Sequence, residues 1–200
     1  MKQFGFVVLL PLLVAPLFGA APVASIHALL AKPKILCGRF DQTKLLAGLK
    51  NPLRSNGRFC VVADKGVLWR SLQPFAQTLR LTRDEIVQWQ GERVTMRLDA
   101  RQEPALRLVN SILFAALAGD LGQLEKHFDI DGVVRDGAWS VKLKARDTSV
   151  AKVIGAIALE GAAYVKNIAI DEANGDRTRI VFSAIQTGDH AMNSDEAALF

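Results

Sequence analysis

From residue 34 onward, apolar and polar side chains mostly alternate with period two. That spacing places successive side chains on opposite faces of an extended chain and predicts β-strands. Strands are predicted at 36–43 and 57–62, joined by a basic loop over 44–56, and then at 66–71, 75–82, 85–90 and 94–98. Gln73-Pro74, Arg83-Asp84 and Gly91-Glu92 supply the turns of this meander. Further strands are predicted at 128–134, 139–144, 154–160, 164–171 and 177–184. The clearest is 139–144, where Trp139, Val141 and Leu143 alternate with Ser140, Lys142 and Lys144. Asn174-Gly175 is a strong hairpin signal between the last two.

The period changes over 104–117, where Leu106, Val109, Leu113 and Ala116 recur at helical spacing and Gly119 ends the run. Asp120 with Gln123 predicts a capping box opening a short helix to Lys126. A helix is also expected over 26–32, closed by Pro33, and Asp147 is expected to cap a helical turn reaching Lys152. Residues 186–200 are polar and aperiodic, which predicts a flexible tail. The fold class is α+β, mainly antiparallel β: a curved sheet with one apolar face that needs a cover. The insert over 104–126 is the expected cover, because Ile112, Leu113, Phe114 and Leu117 make it apolar nearly all round.

The amino-terminal end has a different pattern. Lys2 precedes an apolar run to Phe18 and a small-residue region from Gly19 to Ser25, the layout of a secretory signal peptide and shorter than a membrane span. Proline just past the cut disfavours cleavage before Pro22, whereas Val23-Ala24-Ser25 offers small residues where the peptidase needs them. The expected organisation is therefore a signal peptide over 1–25, one domain over 26–185 and the tail over 186–200. Cys37 follows Lys34-Ile35-Leu36, with no small residue before it, so it does not read as a lipid-anchoring cysteine. The mature chain is expected free in the periplasm. Export favours pairing Cys37 with Cys60, with two buried thiols as the alternative.

The formal charge is +5, and loss of Lys2 leaves +4. That moderate basic excess suits an anionic lipid surface or an acidic partner and equally suits plain solubility. Nucleic acid is excluded as a partner, because basic residues alternate with acids instead of clustering with aromatics. No nucleophile elbow, phosphate loop, dinucleotide fingerprint, His-Glu-x-x-His or Cys-x-x-Cys occurs. Of the three histidines, only His127 lies inside the expected fold. Asp129 and Asp131 lack the glycine and glutamate that complete a calcium loop. No enzyme activity, metal or cofactor is expected.

Several short motifs occur in order: Phe40-Asp41-Gln42-Thr43, Ser55-Asn56-Gly57-Arg58-Phe59, Gly66-Val67-Leu68-Trp69-Arg70 and Pro74-Phe75. With the closing Ile168-Ala169-Ile170-Asp171, Gly175-Asp176-Arg177-Thr178 and Ile180-Val181-Phe182, the series resembles the LolA-type outer-membrane lipoprotein carriers. Asp99 to Leu106 and Gly119-Asp120-Leu121 are similar to a LolA-like branch found beside aryl-polyene and related pigment-lipid gene sets. The resemblance implies an unclosed half β-barrel lidded by short helices, with a hydrophobic cavity that holds acyl chains across the periplasm. It implies a monomeric carrier that takes a lipoprotein or lipid conjugate from an inner-membrane transporter to an outer-membrane acceptor. Where the family has Arg-Pro after the second strand, the arginine helping to latch the lid, this chain has Ala63-Asp64.

The residues and the resemblance point to one face. Val67 and Trp69 share a side of their strand, as do Leu79 and Leu81, and Val94, Met96 and Leu98. With Leu106, Val109, Ile112 and Leu113 of the lid they are expected to line the cavity; the alternative is an ordinary core. Lys44, Lys50, Arg54 and Arg58 form an expected docking edge, or else a solvated loop. A non-catalytic periplasmic sensor or protein-interaction module on the same fold is the alternative function.

Overall fold

A computed structural model describes residues 23–99, 114–115, 117–118, 120–152 and 154–200. The expected signal peptide before residue 23, and Leu106, Val109, Ile112 and Leu113, lie outside the described residues. Eleven strands form one sheet: β1 (Ile35–Leu45), β2 (Leu53–Val62), β3 (Gly66–Gln73), β4 (Gln77–Leu81), β5 (Glu85–Gln90), β6 (Arg93–Asp99), β7 (Phe128–Arg135), β8 (Ala138–Ala145), β9 (Ile154–Gly161), β10 (Val165–Glu172) and β11 (Arg177–Thr187). Their order is β6-β5-β4-β3-β2-β1-β11-β10-β9-β8-β7, and every neighbouring pair is antiparallel. The sheet is curled and unclosed. Its two free edges, β6 and β7, are the strands on either side of the expected lid insert.

The alternation seen in the sequence is plainest in β8, where buried and exposed residues alternate from Ala138 to Lys144. On the inner face a continuous cross-strand row runs Leu36, Val61, Val67, Leu81, Ile86, Leu98, each directly opposite the next. The other half of the sheet is filled from above by α1 (Val23–Leu29), whose Ile26 is fully buried. Gly132 of β7 makes that approach possible, because a Cβ there would lie 2.7 Å from Ile26 Cδ1. The expected helix over 26–32 thus starts one turn earlier, and the expected mature start, Ile26, falls inside it.

Three further expectations need correction. The basic loop over 44–56 shrinks to a turn, because the β1–β2 ladder continues to Lys44 opposite Leu53, and this solvent-side extension carries no apolar alternation to announce it. Asp120 does cap the helix α2 (Leu121–Leu124), accepting from Gln123 N–H, but Asp147 makes no side-chain cap on α3 (Thr148–Ala151). Its carboxylate instead lies 3.2 Å from His127 Nδ1. Nor is 186–200 a flexible tail: β11 continues to Thr187, a 3-10 turn spans Asp189–Ala191, and α4 (Ser194–Ala197) opens on an Asn193/Glu196 capping box. This strap covers the outer face, where Ala191, Met192, Leu199 and Phe200 pack around Leu68 and the disulfide formed by Cys37 and Cys60. Apolar residues so few and so unevenly spaced carry no period, which is why the pattern hid the strap.

The β10–β11 connection is tied to the β1–β2 turn by charge. Asp176 accepts a hydrogen bond from Ala47 N–H at 2.9 Å, and Lys44 reaches Glu172 at 2.7 Å and Asp176 at 3.6 Å. The Ala47 bond, with Asn174 and Lys44, holds the Asp176 carboxyl below its usual range, and the Glu172 hydrogen bond holds the Lys44 ammonium above its own. A depressed carboxyl contributes stability above its unfolded pKa and loses it as pH falls through the folded value. Asp176→Asn is therefore expected to lower the thermal midpoint at neutral pH, by a margin that shrinks on acidification and vanishes in strong acid. Thermal scans of both proteins from pH 7 to pH 2 measure it, and a margin independent of pH would refute the assignment.

Candidate functional site

The inner face of β1–β6 is graded along the strands. Nearest the lid insert lies the aliphatic row described above. Two residues further along each strand comes a row of Phe59, Trp69, Leu79, Gln88 and Met96, again directly opposite one another. Phe40 leans into this row, its ring stacked on Trp69 with centroids 3.8 Å apart, while Phe182 meets Phe59 at 4.7 Å and the Trp69 edge at 6.2 Å. Such offset and edge contacts each stabilise by about 1 kcal/mol beyond area burial. The aromatic cluster is therefore a rigid floor, not an open space.

Gly57 explains how Phe40 reaches that floor. A Cβ on Gly57 would lie 2.9 Å from the Phe40 ring and only 1.9 Å from the Arg70 carbonyl oxygen. The Phe-x-Gln spacing of the first strand has a matching reason, since Gln42 follows Phe40 on the same face and pairs with Ser55 across β1–β2.

Open space lies at both ends of this floor. At the aliphatic end, helical residues of 114–118 cover the sheet, and a cavity flanks them on each side. One, of about 240 Å³, lies between Leu30, Val61, Phe114, Leu117 and Tyr164. The other, of about 570 Å³, lies between Gly66, Leu81, Phe114, Ala115 and Gln123. Asp64, Arg83 and Asp120 rim both. Arg83 of the β4–β5 turn approaches Asp64 at 3.8 Å, so the mouth carries an arginine although the family's arginine position is Ala63 here.

Of the expected cavity residues, Val67, Trp69, Leu79 and Leu81 form one contiguous block, with Val67 opposite Leu81 and Trp69 opposite Leu79. Met96 packs at its margin, whereas Val94 and Leu98 near the β6 edge are more exposed, at 43% and 37%. Sequence reasoning missed Leu36, Val61 and Ile86, which complete the aliphatic row. Their alternation was visible, but which residues stand opposite Val67 and Leu81 depends on strand register.

The expected docking residues do not share an edge. Lys44 lies on the inner face beside Glu172, Lys50 is exposed in the β1–β2 turn, and Arg54 and Arg58 are on the outer face of β2. Arg58 is committed to Glu196 of the strap, with Nε 2.7 Å from Oε1. Cys37, Cys60 and Glu196 cluster closely enough to suggest metal ligands, but both sulfurs are spent in the disulfide. No helix among the described residues is long and apolar enough to cross a membrane.

Residues 19–199 match the model of a family described as outer membrane lipoprotein carrier protein LolA-like. No curated protein matches the chain in sequence. Among solved structures, a LolA superfamily protein from Nitrosomonas europaea is similar at 9% identity and a TM-score of 0.44, covering 80% of this chain and 89% of that one. A DUF1329 family protein from Desulfovibrio piger is similar at 8% identity and a TM-score of 0.47, covering 86% and 95%. A chain of the MucA/MucB complex of Pseudomonas aeruginosa is similar at 16% identity and 0.45, covering 81% of this chain and 56% of that one.

Proposed function

Because the chain belongs to the LolA-like family of outer membrane lipoprotein carrier proteins, we propose that it is a periplasmic carrier that shelters the acyl chains of a lipoprotein or lipid conjugate between membranes. The observation that carries this reading is the pair of cavities on either side of residues 114–118, above an inner face that is aliphatic from Leu36 to Leu98. An acyl chain entering there packs beside Phe114 against Val61 in one cavity and Leu81 in the other. Each methylene withdrawn from water contributes about 0.8 kcal/mol, so burial of half a dozen suffices to hold a chain. Release then follows when the insert closes again on the aliphatic row. In this scheme Leu106, Val109, Ile112 and Leu113 belong to the moving cover, and the aromatic floor of Phe40, Phe59 and Trp69 is the surface over which the chain runs.

The signal peptide delivers the chain to the compartment where the disulfide is stable. Cargo arrives from an inner-membrane transporter and leaves to an outer-membrane acceptor, and the cargo is a lipoprotein, a polyene lipid or a glycolipid. The purified mature protein is expected to bind a fluorescent long-chain fatty acid. Phe114→Glu, which puts a carboxylate between the two cavities, is expected to weaken binding at least tenfold with little loss of thermal stability, because Phe114 is only half-buried. Fluorescence titration with a parallel thermal scan measures both. Unchanged affinity in a folded Phe114→Glu protein, or no binding by the parent, would overturn the carrier reading.

A further inference from the structure

The far end of the inner face, beyond Trp69, holds a third cavity, of about 280 Å³, with a different chemistry. Trp69 and Leu79, at the limit of the apolar rows, form part of its wall, and every other inner-face position lining it is a glutamine or a serine. Three of the glutamines are already engaged: Gln88 donates to Gln77 at 3.3 Å, and Gln73 accepts from Asn56 at 2.9 Å. Gln42, Ser55 and Ser71, on three adjacent strands, make no side-chain hydrogen bond with any described residue, and Ser71 is 93% buried. All three line the cavity, so their amide and hydroxyl groups are available to the polar atoms of a ligand there. At the rim stands Phe75, 75% exposed.

No ionisable side chain among the described residues lines this cavity. The nearest cation along β1 on the same face, Lys44, is neutralised by Glu172 and Asp176. An anionic head group would therefore lose its hydration without gaining a counter-charge. Free amides and hydroxyls each both donate and accept, as do the vicinal hydroxyls of a sugar, and an aromatic flank offers a flat apolar face to a sugar ring. We infer that this cavity is a head-group subsite for an uncharged glycosyl group, and that the cargo class is a neutral glycolipid. The inference rests on the carrier reading: the acyl chain reaches from the aliphatic row across the aromatic floor, and the sugar sits beyond Trp69, where the inner face turns polar.

The test compares three ligands with the same twelve-carbon chain, each below its micelle concentration: dodecyl β-glucoside, dodecanoate and an N-dodecanoyl dipeptide amide. Calorimetric titration of the mature protein is expected to give at least tenfold tighter binding for the glucoside than for the other two. Gln42→Leu and Ser71→Ala are each expected to reduce the ratio of glucoside to dodecanoate affinity fivefold or more, with Ser55→Ala as a third variant should either fail to fold. Equal affinities for the three ligands, or a ratio unmoved by the variants, would overturn the glycosyl assignment while leaving an acyl carrier standing. Preference for the dipeptide amide would overturn it in favour of lipoprotein. No binding of any twelve-carbon ligand would remove the carrier reading and this subsite with it.

Discussion

Gly57→Ala is expected to destabilise the protein by about 3 kcal/mol or more, enough to leave much of the chain unfolded at 37 °C. The reason is backbone against backbone. The new methyl would sit 1.9 Å from the Arg70 carbonyl oxygen, 2.9 Å from its carbon and 2.9 Å from the Phe40 ring. A side chain could swing aside, but Arg70 belongs to a strand paired on both sides, with Arg58 on β2 and Thr78 on β4. The β2–β3 register already shifts between Asn56 and Gly57, so the ladder has little freedom left to absorb the methyl. Gly48→Ala is the control: its φ is +85°, but nothing lies within 4 Å of the added Cβ. It should cost only the left-handed penalty of about 1 kcal/mol. Urea denaturation of the two variants separates the cases, and near-equal midpoints would show that the β2–β3 ladder yields more easily than this geometry allows.

The second large effect lies at the carboxyl-terminal strap. Arg39, Arg58 and Arg70 stand directly opposite one another on the outer face of β1, β2 and β3, an arrangement in which like charges repel. Glu196, fully buried, answers them: it holds Arg58 Nε at 2.7 Å, lies 4.0 Å from Arg70, and accepts Asn193 N–H at 3.1 Å. Removing one partner of a buried pair typically costs 3–5 kcal/mol, and since Arg58 keeps some solvent contact we expect about 2–3 kcal/mol for Glu196→Ala. Glu196→Gln, which can keep the helix cap but not the charge, should cost less. The same contact shields the disulfide, because Cys60 Sγ lies 3.8 Å from Glu196 Oε2 and both cysteines are buried beneath the strap. Thiol attack needs access, so Glu196→Ala is expected to speed reduction by dithiothreitol at least tenfold. An unchanged reduction rate, with the predicted loss of stability, would mean that reductant already reaches the sulfurs with the strap in place.

Much of the architecture was legible locally. The strand over 85–90 has the same bounds in the structure, and the alternation of Trp139, Val141 and Leu143 appears unaltered as three buried positions on β8. Cys37 and Cys60 sit directly opposite across β1–β2, as two neighbouring strands in an oxidising compartment suggest. Of the expected site the shared face was legible, because alternation reports which face a side chain takes: Val67, Trp69, Leu79 and Leu81 do share one. It does not report the partner. The polar end of the inner face, with Gln42, Ser55 and Ser71 together, exists only because the registers of β1, β2 and β3 align residues far apart in the chain.

The amino-acid sequence by itself determined the eleven strands, their inward and outward faces and the position of the insert, because each follows from local periodicity and turn chemistry. Only the tertiary structure decided that β1 pairs with β11, that Arg58 is held by a glutamate 138 residues away, and that a short aperiodic segment straps the disulfide. Those are long-range pairings of charge and shape. Their stability comes from desolvation and register across the finished sheet, and no window along the chain contains both partners.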